Sequence, residues 1–233
     1  MKAPEAQKVL DAVIKQIAGF DNKLTLEQFR QKFAYDIRLP VEVHDATTGE
    51  STWTVTMNAG KYMTLKNVQT RGGVDDWALA KRPIQSVNDI LSAWNEVNYA
   101  TTERLIDSLN VSESDTIYFC QNVYRSQDIR KSKNVIYCDG GEGNEYVVAC
   151  QRSGGLTYCI RTEDSGECSN SFSVVWSNNI VNSLFIQDSS NLYECMFCSK
   201  LKDKKYCIAN MQFEKEEYFR LKKMVLEWLF SPS

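Results

Sequence analysis

Hydrophobic and polar positions follow a period of three residues through the second half of this chain. In the range Ile117–Cys207, 28 of the 31 residues at every third position are Val, Ile, Leu, Cys, Ser or Thr. The exceptions are Gly141, Asn144 and Lys204. The stretches Ile117–Cys138 and Val174–Cys195 are stricter, with a large aliphatic residue every six residues and Ser or Cys between. The intervening residues are mostly long and polar, so small and aliphatic side chains point one way.

A sustained period of three predicts a parallel β-solenoid, because a helix has a period near 3.6 and an ordinary strand a period of 2. In such a solenoid, short straight pieces alternate with bends, each bend turns one side chain inward, and the coils stack about 4.8 Å apart. Asn, Asp, Ser and Gly between the inward positions suit the bends. A coil of roughly 18–24 residues, which is typical of repeat units, would give about four or five coils.

The remaining parts of the chain carry helix and hairpin patterns. Residues 5–18 have an amphipathic stripe, and Thr25 with Gln28 can form a capping box at the start of a second helix. The predicted elements are helices over 5–18, from Thr25, over Val87–Leu109 and over about Glu214–Phe230, a hairpin over Val41–Met57 and a strand over Tyr62–Val68. Ser86 and Asp89 supply the N-cap of the third helix.

These patterns predict an α+β N-terminal part at residues 1–110, a short parallel β-solenoid at 111–210 and a C-terminal capping helix within 211–233. The open ends of a solenoid are unpaired β edges that need cover. We expect the N-terminal part with its long helix to cover one end and the C-terminal helix to cover the other. The apolar stripe of the C-terminal helix is wider than capping alone requires, which leaves room for a partner contact.

All eight cysteines fall in the three-residue register. They are Cys120, Cys138, Cys150, Cys159, Cys168, Cys195, Cys198 and Cys207. Free cysteine is among the most buried residue types, so a stack of small core residues is the first interpretation, ahead of a disulfide framework. The alternative interpretation is a metal or redox site formed by Cys195, Cys198 and Cys207. A structural zinc site needs four ligands and the only histidine is His44, so no metal and no other cofactor is predicted.

Composition narrows the class of protein. The 233 residues are 43% hydrophobic and 24% charged, which excludes intrinsic disorder. With a net charge of −3, the chain lacks the strongly basic composition that is typical of nucleic-acid-binding proteins. No apolar run approaches the roughly 18 residues of a membrane helix, and Met1–Leu10 has no signal-peptide block. We expect a protein of a virion or the cytoplasm that is not secreted through a signal peptide and contacts no membrane.

Catalytic motifs are not found in the sequence. It has no Walker loop, no dinucleotide-binding glycine pattern and no Gly-x-Ser-x-Gly. A histidine-based triad could use only His44, for which a surface or structural role is simpler. Gly140–Gly143 is interpreted as a loop that interrupts the solenoid, and the basic cluster Arg125–Lys133 as a solvated face. No catalytic or cofactor-binding residue is predicted, and the protein is expected not to be an enzyme.

The segment Cys195–Tyr218 has a distinctive order: Cys-x-x-Cys, then Leu-Lys-x-Lys-x-Tyr-Cys-Ile, then Gln, then Glu-Glu-Tyr. It resembles the closing segment of a group of uncharacterised bacterial and bacteriophage proteins that carry Cys or Ser at every third residue. The resemblance covers Ile117–Tyr218. It implies a solenoid fold and a connection to bacteriophages, and it implies no particular activity. Bacterial members often have extra Cys-x-x-Cys pairs near the N-terminus. This chain has no cysteine before Cys120, so no zinc role is carried over.

Two functions of different classes remain. The first is a structural or interaction protein, most simply a bacteriophage virion component, whose rigid solenoid is a spacer or docking platform in a homo-oligomer or larger assembly. The alternative is a module or enzyme that acts on a glycan or nucleic acid along the solenoid face. The outward aromatic residues are Tyr118, Tyr124, Tyr137, Tyr146, Tyr158 and Trp176. Exposed aromatic residues on the N-terminal part or C-terminal helix favour the first function, and a groove of aromatic and carboxylate residues favours the second.

Overall fold

The computed structural model describes residues 1–74 and 76–231, so Asp75, Pro232 and Ser233 lie outside the described residues. The elements ahead of the solenoid are α1 (Ala3–Ala18), α2 (Leu26–Phe33), β1 (Val41–His44), β2 (Ser51–Thr54), β3 (Tyr62–Thr64), α3 (Leu65–Gly72), α4 (Val87–Val97) and β4 (Ala100–Thr102). The solenoid strands are β5 (Leu105–Ile106), β6 (Leu109–Ser112), β7 (Asp115–Tyr118), β8 (Gln121–Tyr124), β9 (Gln127–Arg130), β10 (Lys133–Ile136), β11 (Asp139–Glu142), β12 (Glu145–Val148), β13 (Gln151–Gly154), β14 (Thr157–Glu163), β15 (Ser169–Val175), β16 (Asn178–Val181), β17 (Leu184–Gln187), β18 (Ser190–Ser199), β19 (Lys202–Ile208) and β20 (Met211–Gln212). The last element is α5 (Lys215–Leu229).

The second half of the chain is a parallel β-solenoid of about nine turns, as its triplet pattern predicts. Parallel partners are twelve residues apart throughout, as in the pairs Val135–Val123 and Val135–Val147. Each coil therefore contains twelve residues, and the expected coil of 18–24 residues with four or five coils was wrong. We number the coils by their first inward residue: Leu105, Ile117, Ile129, Gly141, Ser153, Ser165, Ser177, Ser189 and Leu201.

Four left-handed bends close each coil. From Asp107 to Ala209, every third residue has a positive φ, between 45° and 61° at residues other than glycine. Twenty of these 35 residues are neither Gly, Asn nor Asp, although this conformation costs other residues roughly 1–2 kcal/mol each. The bend residues are therefore set by the stacking of the coils more than by their own turn preference.

In coils 1 to 3 and in coil 7 the inner core alternates large and small residues. In coil 2 the strands carry Ile117 and Val123 inward, and the corners carry Cys120 and Ser126. Coil 7 follows the same rule three residues out of phase, because its strands centre on inward Ile180 and Ile186. Each such cross-section thus holds two aliphatic and two small side chains, which keeps its volume nearly constant.

Small inward residues also complete the hydrogen bonding of the corners. The Ser183 hydroxyl accepts from the backbone N–H of Cys195, one coil ahead, at 3.0 Å, and donates to the carbonyl of Val181 at 2.8 Å. Thiols do the same more weakly, since the Cys138 sulfur accepts from the N–H of Cys150 at 3.3 Å. Ser and Cys recur at corners because an aliphatic side chain there would leave a buried N–H unpaired.

Two departures from the triplet pattern compensate each other in coil 4. Asn144 points inward, where its amide donates to the carbonyl of Ser153 and accepts from the N–H of Leu156, both at 3.0 Å. A Cβ at Gly141 would lie 2.5 Å from that amide nitrogen, so only glycine leaves room for it. Gly141 belongs to β11, which pairs in parallel on both edges. The expectation that Gly140–Gly143 is a loop interrupting the solenoid was therefore wrong.

A second hydrophobic core lies outside the solenoid. One outward column is apolar in successive coils: Tyr124, Ile136, Val148, Ile160, Phe172, Leu184 and Met196. The apolar sides of α1, α2 and α5 pack on this column. The N-terminus of Met1 donates to the carbonyl of Asn110, and Gln16 bonds to Asn170 five coils later. The two ends of α1 thus contact residues five coils apart. Fifteen helical residues span about 22 Å and five stacked coils span about 24 Å, so the two lengths match and α1 runs along the solenoid axis.

The covering of the ends differs from the expectation. β3 pairs in parallel with β4, one triplet before the first coil, so a strand covers this short segment, whereas the outer edges of β5 and β6 pair with no strand among the described residues. The helix predicted over Val87–Leu109 ends at Val97, and the strand predicted over Tyr62–Val68 gives way to α3 at Leu65. α5 does not close the C-terminal end: it packs against the side of the solenoid, from Tyr206 back to Phe172.

Replacing one inward aliphatic residue by a charged one should unfold the solenoid. We expect Ile186→Asp and Ile129→Asp to lower the free energy of unfolding by more than about 3 kcal/mol, because each buries an unpaired carboxylate. The outward neighbour Gln187 is exposed, so Gln187→Asp is the control and should change stability by about 0.5 kcal/mol or less. Urea unfolding followed by circular dichroism measures all three; wild-type stability in both isoleucine variants would contradict the inward assignment.

Removing one corner hydroxyl should cost the energy of a buried unpaired N–H. Ser183→Ala is expected to lower the free energy of unfolding by about 1–3 kcal/mol. Ser183→Cys should recover part of this loss, because thiols accept the same bond elsewhere in the solenoid. Ser190→Ala, on the outer surface, is the matched control. Equal stabilities for the Ser183→Ala and Ser190→Ala variants would show that the hydroxyl only fills space.

Candidate interaction surfaces

The three cysteines considered for a metal or redox site lie inside the last two coils. Cys195 and Cys207 are in register on adjacent strands, and Cys198 lies at the next inward position, with all three buried. Across residues 1–74 and 76–231, no group of three or more His, Cys, Asp or Glu side chains is arranged to hold a metal ion. All eight cysteines are free, buried thiols, as the interpretation as core residues predicts.

Burial controls the acidity of most of these thiols. It raises the pKa of Cys159 well above its usual range and that of Cys168 to about 11. A hydrogen bond to Cys198, together with burial, raises the pKa of Cys195. The same bond lowers the pKa of its acceptor Cys198 to about 7. A thiol inside the coil stack is nevertheless out of reach of reagents in solution until the stack opens.

Thiol alkylation checks this arrangement. In the native protein we expect iodoacetamide to modify all eight cysteines at least about 100-fold more slowly than in guanidine, because modification requires the coils to open. Peptide mapping by mass spectrometry gives the rate at each site. Rapid native modification of Cys195, Cys198 or Cys207 would mean that the last coils are open and would revive a chemical role for these residues.

The outward aromatic residues do not form one surface. Tyr124 and Tyr137 are buried beneath the helices, and Tyr146 stacks on Tyr158 with ring centroids 4.7 Å apart. Trp176 is 66% exposed on another face. These residues therefore do not line a common groove, because one of the four solenoid faces is the packing surface for α1, α2 and α5.

Trp176 lies in a shallow groove with carboxylates on both sides. Asp164 and Asp188 occupy its column in the preceding and following coils, and Gly166 and Asn178 line the adjacent column. Asp164 forms a bidentate pair with Arg152 at 2.7–2.8 Å. The groove thus combines one exposed aromatic ring with polar side chains over a floor that lacks a side chain at Gly166.

The basic cluster Arg125–Lys133 is largely neutralised. Lys131 pairs with Glu142 at 2.6 Å, and Arg130 pairs with Asp128 at 3.4 Å. Arg125 lies 4.0 Å from Glu113 and also faces the ring of Trp53. These partners reduce the positive potential of the face and agree with its interpretation as solvated surface.

α4 presents the most apolar exposed surface of the N-terminal part. Val87 is 69% exposed, and Ile90, Leu91 and Trp94 are 54–55% exposed. Their spacing of i, i+3, i+4 and i+7 places all four on one side of the helix. None of the residues of α4 is buried, whereas α1, α2 and α5 bury their apolar sides. An amphipathic helix with its apolar side in water is typical of a contact surface.

Local contacts hold α4 as a formed helix. The predicted N-cap is present and forms a capping box: the Ser86 hydroxyl accepts from the N–H of Asp89, and the Asp89 carboxylate accepts from the N–H of Ser86. Glu96 pairs with Arg82 at 2.6 Å. At the C-terminal end, the Lys61 ammonium donates to the carbonyl of Asn95. The helix is therefore stabilised without burial of its apolar side.

Asp45 organises the strands next to α4, although no sequence motif marks it. This carboxylate is 1% exposed and accepts from Thr47, the N–H of Thr64 and the amide of Asn67. Burial alone would raise the pKa of Asp45, but these hydrogen bonds outweigh it and hold the pKa well below its usual range. The residue thus joins the hairpin to β3 and α3, a role that its sequence neighbours do not indicate.

A second exposed aromatic surface lies between α2, α5 and the solenoid. Tyr35 is 71% exposed and Trp228 is 65% exposed, and they line a cavity of about 530 Å³ with Phe172 and Phe185. Arg161 closes one side and forms a bidentate pair with Asp36 at 2.7–2.9 Å. Leu229 and Phe230 occupy the packed side of the chain's C-terminal helix, and Trp228 points away from it.

Comparisons with known proteins give no match to a family model, a curated protein or a solved structure. Among the described residues, none of the helices is both long enough and apolar enough to cross a membrane. The surfaces of the molecule are therefore the basis for inferring its function.

Proposed function

We propose that this protein is a non-enzymatic structural and interaction protein, in which the solenoid is a rigid spacer and α4 docks a second copy of the chain within a larger assembly. The observation that carries this proposal is the solvent-exposed apolar side of α4. The bacteriophage particle that the resemblance implies is the setting we favour. The exposed aromatic pair Tyr35 and Trp228 adds a second contact surface of the kind expected for such a protein.

The spacing of the apolar residues in α4 favours a copy of the same helix as its partner. Side chains at i, i+3, i+4 and i+7 form the seam by which two helices pack around a two-fold axis. Each copy would contribute only four large side chains, far fewer than the roughly 20–30 residues per side of a standard interface. We therefore expect weak pairing in solution that is reinforced by other contacts in an assembly.

Light scattering between about 10 and 200 µM tests the role of α4. We expect the mean molar mass to rise with concentration, because weak self-association follows mass action. Ile90→Glu with Trp94→Glu should hold the protein monomeric, since it places charges in the seam. Asn88→Glu with Ser92→Glu adds the same charge on the polar side of α4 and should leave association unchanged. A wild-type protein that is monomeric throughout would overturn the α4 pairing.

The assembly itself is tested by quantitative mass spectrometry of particles from the natural source. A fixed copy number of the chain per particle supports a structural component. A chain found only outside any particle and without a stoichiometric subunit partner overturns that role.

A glycan-binding module is the second candidate, favoured by the groove around Trp176. An exposed indole ring can stack on a sugar, and the carboxylates of Asp164 and Asp188 can accept hydrogen bonds from hydroxyl groups. A glycan array with wild-type protein and Trp176→Ala separates the two functions. Specific binding that the substitution abolishes supports this candidate, and no binding to any glycan counts against it.

A further inference from the structure

The last coil leaves an open strand edge at the C-terminal end of the solenoid. β19 pairs in parallel with β18 on its inner edge. On its outer edge, β20 pairs only with Cys207 and Ile208. Within the described part of the chain, no strand pairs with the outer edge of residues 202–206. α5 packs on the side of the solenoid and leaves Lys202–Lys205 exposed.

The inner coils show which backbone groups this edge offers. In the column of Lys202, each N–H donates to the carbonyl eleven residues ahead, as from Asn178 to Ser189 at 3.1 Å and from Ser190 to Leu201 at 3.0 Å. Each carbonyl accepts from thirteen residues ahead, as at Gly166 from Asn179. For Lys202 those positions are Phe213 and Lys215, which lie beyond the last coil. The carbonyl of Phe213 accepts from the side chain of Gln212 at 3.1 Å instead. The N–H and carbonyl of Lys202 therefore face out of the edge.

Lys205 offers a second donor in the same direction. In its column, the N–H of Thr157 donates to the carbonyl of Cys168 at 3.0 Å. The equivalent acceptor for Lys205 would be Glu216, which belongs to α5. The carbonyl of Lys205 is already satisfied by the side chain of Gln212 at 2.9 Å. The edge thus presents two donors and one acceptor over four residues, which is the pattern that another strand can pair with.

Four positive charges surround these backbone groups. Lys200, Lys202, Lys204 and Lys205 are all exposed. None of them forms an ion pair among the described residues, in contrast to most arginines of the solenoid. The one acidic residue among them, Asp203, accepts from the amide of Asn191 in the coil below. In a chain with a net charge of −3, this edge is a local concentration of unneutralised positive charge.

Lys204 rules out the simplest partner for such an edge. It occupies an inward position, in register with Leu192 of the preceding coil. An inward lysine and flanking lysines are devices that keep sheet edges from pairing with their own kind. Two copies joined through this same edge would bring eight lysines together, and at the opposite end the N-terminus of Met1 already donates to the carbonyl of Asn110 in the first coil. A second copy of the chain is therefore not the occupant that the charges favour.

We infer that this edge, Leu201–Lys205, binds an extended acidic segment of a partner protein by β-strand addition. Main-chain hydrogen bonds to Lys202 and Lys205 supply the affinity, and acidic side chains that face the lysines supply the specificity. This inference extends the proposed function by naming a partner chemistry. It concerns the end of the molecule farthest from β4, so it does not depend on association through α4.

A capped heptapeptide that alternates Glu and Val is the probe, with fluorescence anisotropy and amide hydrogen exchange as readouts. We expect saturable binding that weakens with salt, together with slower exchange at the amides of Lys202 and Lys205. Lys202→Glu with Lys205→Glu should weaken binding by about tenfold or more, because opposite charges become like charges. Two controls use the peptide itself: one replaces Glu by Lys, and one is N-methylated at alternate amides. Both should fail to bind.

The chain offers a matched control variant. Arg130 and Lys133 occupy the same two columns six coils earlier, where both strand edges are already paired. Arg130→Glu with Lys133→Glu makes the same change in charge and should leave peptide binding unchanged. The α4 variant Ile90→Glu with Trp94→Glu should also bind the peptide normally, so failure of the α4 proposal would not be mistaken for failure at this edge.

Three outcomes would overturn the inference. Equal affinity for the N-methylated peptide would mean charge attraction without strand pairing. Tighter binding of polyphosphate or single-stranded DNA than of the peptide would identify an anion surface of another class. No binding of any probe, together with self-association of a Lys204→Leu variant, would show that the lysines only protect the edge.

Discussion

The left-handed bend at every third residue is the constraint on which the rest of this structure depends. Four such bends close a coil in twelve residues, so every third side chain points inward and each residue stacks on the one twelve ahead. Most of these bends occur at residues that disfavour the conformation, at roughly 1–2 kcal/mol each. Hydrogen bonds between coils and burial of the inner column offset that cost, which makes the coils cooperative: a bend is stable only while its neighbours above and below are in place.

Small polar residues are as necessary to this core as aliphatic ones. A corner turns a backbone N–H inward, and Ser183 or Cys138 satisfies that donor from the coil below. A purely aliphatic core would fill the same volume but leave these donors unpaired. The cysteines therefore share the three-residue register because a thiol, like a hydroxyl, is small enough for an inward corner and can accept the corner hydrogen bond, although more weakly. Cys195, Cys198 and Cys207 are likewise buried inward residues.

The period of three was sufficient to predict the solenoid and its inward residues, because steric and burial constraints act at each triplet independently. It could not give the coil length, which is a property of stacking. That information was in the outward residues: apolar side chains recur every twelve residues from Tyr124 to Met196, which marks both the coil and the face that the helices cover. The helix predicted to Leu109 failed because Leu105 and Leu109 fit a helical stripe, while Leu105 also fits the triplet register that competes with it.

The surfaces were harder to predict than the core, since an amphipathic pattern predicts an apolar side but not what covers it. α1 and α4 have similar patterns, yet α1 packs on the apolar column and α4 leaves its apolar side exposed. The open edge did leave a signal, because Lys204 breaks the inward series at its last aliphatic position. These lysines oppose pairing of the C-terminal edge with the same edge of a second copy. Nine coils at about 4.8 Å each give a length of roughly 43 Å, which suits the spacer role proposed above.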